Sequence, residues 1–255
     1  NLAYKYSKTI FMFSQQEIKN MLFIDVETVT FHINHADMVE KNPVLAGHWS
    51  NKAKVIVSPK AGKPELAHLS EAELYEQEAP LYSEFSKIVT VSIGQVVFDD
   101  AGQPQFKVKS YTSDDEEEIM TGLQKALFAL FNREPKLKLV GHNILGFDMP
   151  LILRKFVKYN LEIPRQLMLH DIKPWDSCLI DTNAIWKFGS WVGCTLDLLC
   201  ATLDIPSPKA DLKGYEVSEA YWNRKELARI QTYCENDVKA TANIVLKMAR
   251  QPICY

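Results

Sequence analysis

The stretch that decides the fold is MLFIDVET, residues 21–28. Its first four residues are apolar, and Asp25 and Glu27 follow at alternating positions at the end of a predicted strand, 21–26. Because successive side chains of a strand point to opposite faces, both carboxylates point to one side and can share a cation. Acidic pairs at this spacing recur in the chain, but burying a charge beside apolar residues is costly unless a partner such as a metal compensates it. The setting therefore makes Asp25 a candidate metal ligand.

Length and composition fit one large α/β domain. The 255 residues are 47% hydrophobic and 24% charged, which suits a substantial core and excludes a disordered chain. The net charge of −3 neither supports nor excludes a nucleic-acid substrate, because an enzyme that contacts a few terminal nucleotides needs no basic excess. No stretch approaches the ~18 apolar residues that span a bilayer, so we expect no membrane partner. Five scattered cysteines without a CxxC pair favour free thiols in a reducing cytoplasm.

Hydrophobic periodicity predicts a mixed sheet with flanking helices. The predicted strands are 21–26, 88–98, 106–111 and 137–140, and the predicted helices include one that ends near 158, 196–203 and 224–249. Residues 31–80 form a long insert without a strong period, and 1–20 form an N-terminal extension of uncertain order. We therefore expect one domain, 21–255, that contains this insert.

Two helix starts carry the pattern of a capping box, in which a hydroxyl and a carboxylate satisfy free backbone N–H groups. Ser70 and Glu73 are predicted to start a helix within the insert. Ser113 and Glu116 are predicted to cap the helix that follows the second and third strands. The acidic run 114–118 then falls in the first turn of that helix, where carboxylates favour the positive end of the dipole.

Two further acidic residues stand where they can join the first pair. Asn143, Phe147 and Asp148 follow the short strand at a helix start, where Asn143 and Asp148 either belong to a site or merely cap the helix. Tyr233 and Asp237 lie four residues apart in a helical segment and so share one face. Taken alone, that pair is more typical of a surface hydrogen bond. In this order and on these elements, the motifs form a strong combination.

The strings FIDVET at 23–28, GHNILGFD at 141–148 and YCENDV at 233–238 resemble the DEDDy group of DnaQ-like 3′–5′ exonucleases. They are also similar to the proofreading exonuclease domain of family B DNA polymerases and to its stand-alone bacterial members. In the DEDDh branch a histidine stands five positions before the last aspartate; Thr232 occupies that place, and Tyr233 indicates the tyrosine branch. The resemblance implies a ribonuclease H-like (DnaQ-like) α/β fold, a mixed five-stranded sheet flanked by helices.

The resemblance also implies a two-metal site. In it Asp25 bridges both ions, Glu27 and Asp237 hold the ion that activates water, and Asp148 holds the ion beside the leaving group. Four converging carboxylates repel one another without cations, and ligands that are all oxygen favour Mg²⁺ or Mn²⁺ over zinc. Since a phenol with a pKa of about 10 is a poor base at neutral pH, we expect Tyr233 to orient the attacking water.

Further residues match family positions that contact the substrate. Thr28 is expected to contact the terminal sugar or phosphate through its backbone, and Asn143 to position the terminal nucleotide. Phe147 either stacks on a base or belongs to the core. Lys209 and Lys213, in a loop rich in proline and glycine, either contact the substrate backbone or are solvated surface lysines.

Three functions stay open. The first is a metal-dependent 3′–5′ exonuclease on single-stranded DNA, favoured over RNA by the resemblance, with a replication or repair partner acting in trans. The second is a 3′–5′ exoribonuclease of the DEDDy class, since nothing in these motifs reads the 2′-hydroxyl. The third is a catalytically inactive nucleic-acid-binding scaffold, against which the intact carboxylate set argues.

Overall fold

One mixed sheet of five strands organises the protein in this computed structural model, which describes residues 12–60, 62–171, 173, 176–207 and 212–254. The strands are β1 (Met21–Thr30), β2 (Ser86–Phe98), β3 (Pro104–Thr112), β4 (Lys138–Gly141) and β5 (Leu179–Asp181). In the described residues the helices are α1 (Gln15–Lys19), α2 (His35–Lys41), α3 (Pro43–Ile56), α4 (Glu71–Glu78), α5 (Glu116–Arg133), α6 (Asp148–Lys158), α7 (Thr182–Lys187), α8 (Leu196–Thr202), α9 (Val217–Trp222) and α10 (Leu227–Met248).

The strands lie in the order β3-β2-β1-β4-β5. β1 pairs with β2, and β2 with β3, in antiparallel fashion; β1 pairs with β4, and β4 with β5, in parallel. Because β1 lies at the centre, both of its faces are covered by helices. The predicted ribonuclease H-like fold, a mixed five-stranded sheet flanked by helices, is confirmed.

The alternation of β1 separates two parts of the core. The side that faces α5 and α6 carries Leu22, Ile24 and Val26. Met21 and Phe23 point the other way and pack against residues of α10. Since Asp25 and Glu27 alternate in phase with Met21 and Phe23, their carboxylates also face α10. The apolar start of the strand thus fixes the direction of its acidic end.

β1 continues to Thr30, four residues beyond its predicted end at Val26. A β-bulge interrupts its pairing with β2 between Glu27, which lies opposite Thr90, and Thr28, which lies opposite Ile88. A bulge bends the strand locally and changes the direction of the side chains around it. The irregular point of the central strand therefore coincides with the predicted acidic site.

The described part of the insert at 31–80 contains three α-helices, α2, α3 and α4, around its own apolar cluster. Trp49 is fully buried there, with its ring centroid 5.2 Å from Tyr75 and 5.0 Å from Phe85. The capping box of Ser70 and Glu73 is confirmed at the start of α4. The cluster packs the insert against the residue that precedes β2.

The helix α5 begins differently from the prediction. Asp115 caps it, because its carboxylate accepts from the N–H of Glu117, whereas the hydroxyl of Ser113 accepts from the N–H of Asp115. Glu116 is not part of a cap. Its buried carboxylate lies 2.9 Å from the Nζ of Lys155, which is also buried, and 2.8 Å from that of Lys158. The acidic run is therefore only partly a solvated first turn.

The N-terminal segment contributes to the fold from residue 12 onwards, while 1–11 lie outside the described residues. Ser14 and Glu17 form a capping box at the start of α1, and Ile18 is fully buried in the cluster on α10. None of the five cysteines, all in described segments, forms a disulfide. Among the described helices, none is long and apolar enough to cross a membrane.

Candidate active site

Asp25 and Glu27 on β1 face Tyr233 and Asp237 on α10, because α10 packs on that side of the sheet. Glu27, Tyr233 and Asp237 are all buried, at 9%, 6% and 7% exposure. The hydroxyl of Tyr233 donates to the carboxylate of Asp237 one helical turn further on. Tyr233 and Asp237 therefore form a buried pair, rather than the surface hydrogen bond that the spacing alone indicated.

Asp148 joins them from the first residue of α6, which follows the loop after β4. Its carboxylate is buried and accepts from its own N–H and from the N–H of Val26, between the two acidic residues of β1. The segment that carries Asp148 is thereby tied to the central strand. The carboxylate of Asp148 thus contacts both its own helix start and the central strand.

The charges of the four carboxylates oppose one another. Burial raises the pKa of Asp25 well above its ordinary value, and repulsion from Asp148, Glu27 and Asp237 raises it further. The pKa of Asp148 is raised to about 7, first by burial and then by Asp181 and Asp237, against the lowering effect of its backbone hydrogen bonds. Such an arrangement favours binding of positive charge.

The phenol of Tyr233 does not titrate near neutral pH. Burial raises its pKa above the ordinary value of tyrosine, and the neighbouring charges of Asp237, Glu27 and Asp25 raise it further. Because the hydroxyl keeps its proton, it acts as a hydrogen-bond donor and does not accept a proton from water.

The donor atoms suit a divalent cation. Ligand atoms of Asp25, Glu27 and Cys234 lie within 4.8 Å of one another. Burial raises the pKa of the Cys234 thiol well above its ordinary value, so this sulfur stays protonated. It donates to the backbone oxygen of Asp25 at 3.4 Å and to Oδ2 of Asp25 at 3.5 Å. Carboxylate oxygens therefore dominate the donor set, which fits Mg²⁺ or Mn²⁺.

Cys234 did not stand out in the sequence, where it is one of five scattered cysteines. Its position between Tyr233 and Asp237 was the available signal. On the inner face of a helix, that position places the thiol against β1.

The three predicted substrate contacts have different surroundings. The hydroxyl of Thr28 donates to the carbonyl of Pro80 at 2.8 Å, so its side chain is occupied by the end of the insert. Asn143 is exposed and has a φ of 65° in the left-handed region. Phe147 is half-buried and packs against the core cluster on α5 and α6. Of the three side chains, that of Asn143 faces solvent most openly.

Asp181, which the sequence analysis did not single out, holds the loop that contains Asn143. Its Oδ1 accepts from the N–H of Asn143 at 3.0 Å, and its Oδ2 from that of Leu145 at 3.2 Å. The same carboxylate caps α7 by accepting from the N–H groups of Asn183 and Ala184. One buried side chain thus connects the loop before Asp148 to the end of β5.

Of the two lysines predicted to contact substrate, the structure describes Lys213. Lys213 donates its N–H to Glu216, and its Nζ lies 5.8 Å from the ring centroid of Tyr215. Lys209 lies outside the described residues. The prediction that both contact substrate stays a prediction.

Comparison with known proteins identifies the family. No match was found among curated protein sequences. Among solved structures, the family B DNA polymerase from the hyperthermophilic archaeon Pyrobaculum calidifontis is 13% identical over 90% of this chain, with a TM-score of 0.42. The match covers 27% of that polymerase. Residues 80–251, more than half of the chain, match the family described as a predicted 3′-5′ exonuclease related to the exonuclease domain of PolB, and the chain belongs to this family.

Proposed function

We propose that the protein is a metal-dependent 3′–5′ exonuclease of the DEDDy group that removes nucleotides from single-stranded DNA. The observation that carries the proposal is the convergence of Asp25, Glu27, Asp148 and Asp237, with Tyr233 bonded to Asp237, in a member of this exonuclease family. Mutual repulsion of buried carboxylates without a function is costly, and bound cations remove that cost.

The four carboxylates would hold two divalent cations, Mg²⁺ or Mn²⁺. When bound, such ions neutralise the acidic cluster, activate water and stabilise the leaving oxygen of a phosphodiester. Asp25 suits the position shared by the two ions, because the other three carboxylates all raise the pKa of its carboxylate. Asp148 would join the site from α6, whereas Tyr233 and Asp237 lie on α10.

The protonated hydroxyl of Tyr233 would orient the attacking water by hydrogen bonding. Its donation to Asp237 holds the ring in place, so little ordering would be needed when substrate binds. The exposed Asn143 suits contact with the terminal nucleotide, and the backbone at the bulge beside Thr28 suits contact with the terminal sugar or phosphate.

DNA is the favoured substrate because the family is described by its relation to the exonuclease domain of PolB. A replication or repair partner would then act together with this protein in trans, as a separate chain. RNA degradation is the alternative, since recognition of the 2′-hydroxyl decides between the two polymers.

The test is degradation of single-stranded oligonucleotides labelled at the 5′ end, DNA and RNA of one sequence, with Mg²⁺, Mn²⁺ or EDTA. We expect a ladder of shortened, 5′-labelled DNA that requires the cation. Asp237→Ala should abolish the ladder, whereas Asp100→Ala, which removes the same side chain from the exposed turn between β2 and β3, should not. Full activity of Asp237→Ala, or activity in EDTA, would contradict the proposal.

A further inference from the structure

A loop of exposed apolar residues follows α7. Phe188 is 73% exposed, Trp191 is 90% exposed and Val192 is 53% exposed. Phe188 has a φ of 45°, and Gly189 a φ of 84°. A bulky residue rarely adopts this left-handed conformation, which costs free energy and persists where the surroundings impose it. Phe188 ends α7 in this left-handed conformation, and the loop that follows presents two large rings to solvent.

Hydrogen bonds tie the base of this loop to the candidate active site. Nε2 of His142 donates to the carbonyl of Cys194 at 2.8 Å, and the N–H of Cys194 donates to the side chain of Asn183 at 3.1 Å. His142 precedes Asn143, and the N–H groups of Asn143 and Asn183 share Oδ1 of Asp181. Trp191 is three residues from Cys194, at most about 11 Å along an extended chain. The loop that carries Trp191 is thus anchored to the loop that leads to Asp148.

The charge around these rings suits a polyanion. Residues 182–195 contain no acidic side chain, although the whole chain carries 32. The side chain of Lys187 runs along the base of the loop, so close that a Cβ added at Gly193 would meet its Cε at 2.8 Å. Aromatic rings beside a cation are the combination with which proteins hold single-stranded nucleic acid.

A cavity lined in part by Thr30 and Trp222 does not offer this combination. It has a volume of about 580 Å³, lies at the end of β1, and is lined by Glu73, Glu76 and Glu219 among others. Three carboxylates repel a phosphate backbone. The aromatic loop is therefore the better path for a strand that leaves the acidic site.

We propose that Phe188 and Trp191 form a stacking surface for bases of the single-stranded nucleic acid upstream of its 3′-terminal nucleotide, with Lys187 pairing a phosphate. This inference rests on the proposed exonuclease function. It concerns the nucleotides of the substrate that lie beyond the reach of the acidic site. A stacked base contributes about 5- to 150-fold in affinity, so the loop determines how tightly long strands bind.

The test compares two substrates in Mn²⁺. The p-nitrophenyl ester of thymidine 5′-monophosphate fills only the terminal-nucleotide site, whereas single-stranded DNA of about 12 nucleotides also reaches the loop. We expect Trp191→Ala to raise KM for the long strand about 5- to 150-fold and to leave kcat/KM for the ester unchanged. Trp191→Phe should keep most of the affinity because it keeps a ring. Val44→Ala, which trims an exposed apolar side chain on α3, should change neither substrate.

Binding of a fluorescent oligonucleotide, followed by anisotropy in Ca²⁺, provides a second measurement that does not require hydrolysis. Trp191→Ala and Phe188→Ala should each weaken binding by the same factor as KM. Wild-type affinity in both variants would overturn the inference, as would a change only in sedimentation, which would assign the loop to self-association. If the wild-type protein hydrolyses neither substrate, the proposed function fails, while the anisotropy still decides the role of the loop.

Discussion

Asp181 connects β5 to the loop before Asp148. Removal of its side chain should therefore lower both stability and activity. Asp181→Ala deletes the acceptor for the N–H groups of Asn143 and Leu145, which lie at 3.0 Å and 3.2 Å, and it deletes the cap of α7. Because the loop ends in a candidate metal ligand, the change should affect both folding and activity.

The size of the expected loss in unfolding free energy follows from these contacts. Each hydrogen bond to the charged carboxylate contributes about 1.5–3 kcal/mol, and the helix cap contributes about 1 kcal/mol. The negative charge of Asp181 also raises the pKa of Asp148, so its removal relieves part of the repulsion and offsets part of this cost. We expect the free energy of unfolding to fall by about 3–5 kcal/mol. Asp181→Asn, which keeps one acceptor oxygen but turns an amide towards Leu145, should cost about 1–3 kcal/mol.

Activity should fall more than unfolding explains, because a displacement of about 1 Å at a catalytic group can cost about 100-fold in rate. Urea unfolding gives the stability, and Mn²⁺-dependent cleavage of a single-stranded oligonucleotide at low urea gives kcat. Asp115→Ala is the matched control: it removes the cap of α5 and about 1 kcal/mol but touches no part of the acidic site. If Asp181→Ala matches Asp115→Ala in both stability and kcat, the loop does not depend on Asp181.

Further predictions concern the site and the buried ion cluster. Tyr233→Phe should lower kcat about 10- to 100-fold and leave Mn²⁺ affinity by calorimetry nearly unchanged; an affinity loss as large as that of Asp148→Ala would contradict an orienting role. Mn²⁺ at 100 times its Kd should raise the free energy of unfolding by about 2.7 kcal/mol, and Asp237→Ala should reduce this gain; equal urea midpoints in Mn²⁺ and EDTA would contradict metal binding. Glu116→Gln should cost about 3–5 kcal/mol at pH 7, because it leaves the Lys155 cation buried, and Lys155→Met in the same chain should recover part of that loss.

The free energy of unfolding that Glu116→Gln loses should depend on pH in one direction. Burial alone would raise the pKa of Glu116, but Lys155, Lys158 and the hydroxyl of Tyr159 lower it below its ordinary value. A depressed folded-state pKa gives stability above the unfolded value of about 4.3, and this stability disappears as pH falls through the folded value. The difference in unfolding free energy between wild type and Glu116→Gln should therefore shrink below about pH 4. A constant difference from pH 7 to pH 3 would mean that the carboxylate charge contributes little.

The sequence predicted the face to which the acidic side chains point better than it predicted the residues that hold them in place. The alternation of MLFIDVET was enough to place Asp25 and Glu27 on one face, because a two-residue period is a local property. β1 was predicted too short, because the predicted strand ended at Val26. Thr28, Val29 and Thr30 are β-branched residues that favour a strand, and the strand indeed includes them.

Interactions between distant segments account for what the sequence did not reveal. β5 has three residues, too few for a recognisable period, and the bonds from Asp181 to Asn143 and Leu145 join residues 38 and 36 positions apart. Ser113 and Glu116 had the spacing of a capping box, yet the buried Lys155 attracts Glu116 inward, and Asp115 caps the helix instead. Local spacing is overridden where a buried countercharge is available.

Packing on either side of the acidic residues explains how the site keeps its form despite its repulsion. On one side, Phe23 of β1 packs with Val238 and Val245 of α10. On the other, Val29 of β1 packs with Ile230 and with the ring of Tyr233. Because α10 is held against β1 both before and after Asp237, this carboxylate cannot move away from Asp25 and Glu27 without opening one of these apolar clusters, each of which contributes several kcal/mol. The fold thus holds these carboxylates together in advance, so that the proposed cations would have little structural rearrangement to impose.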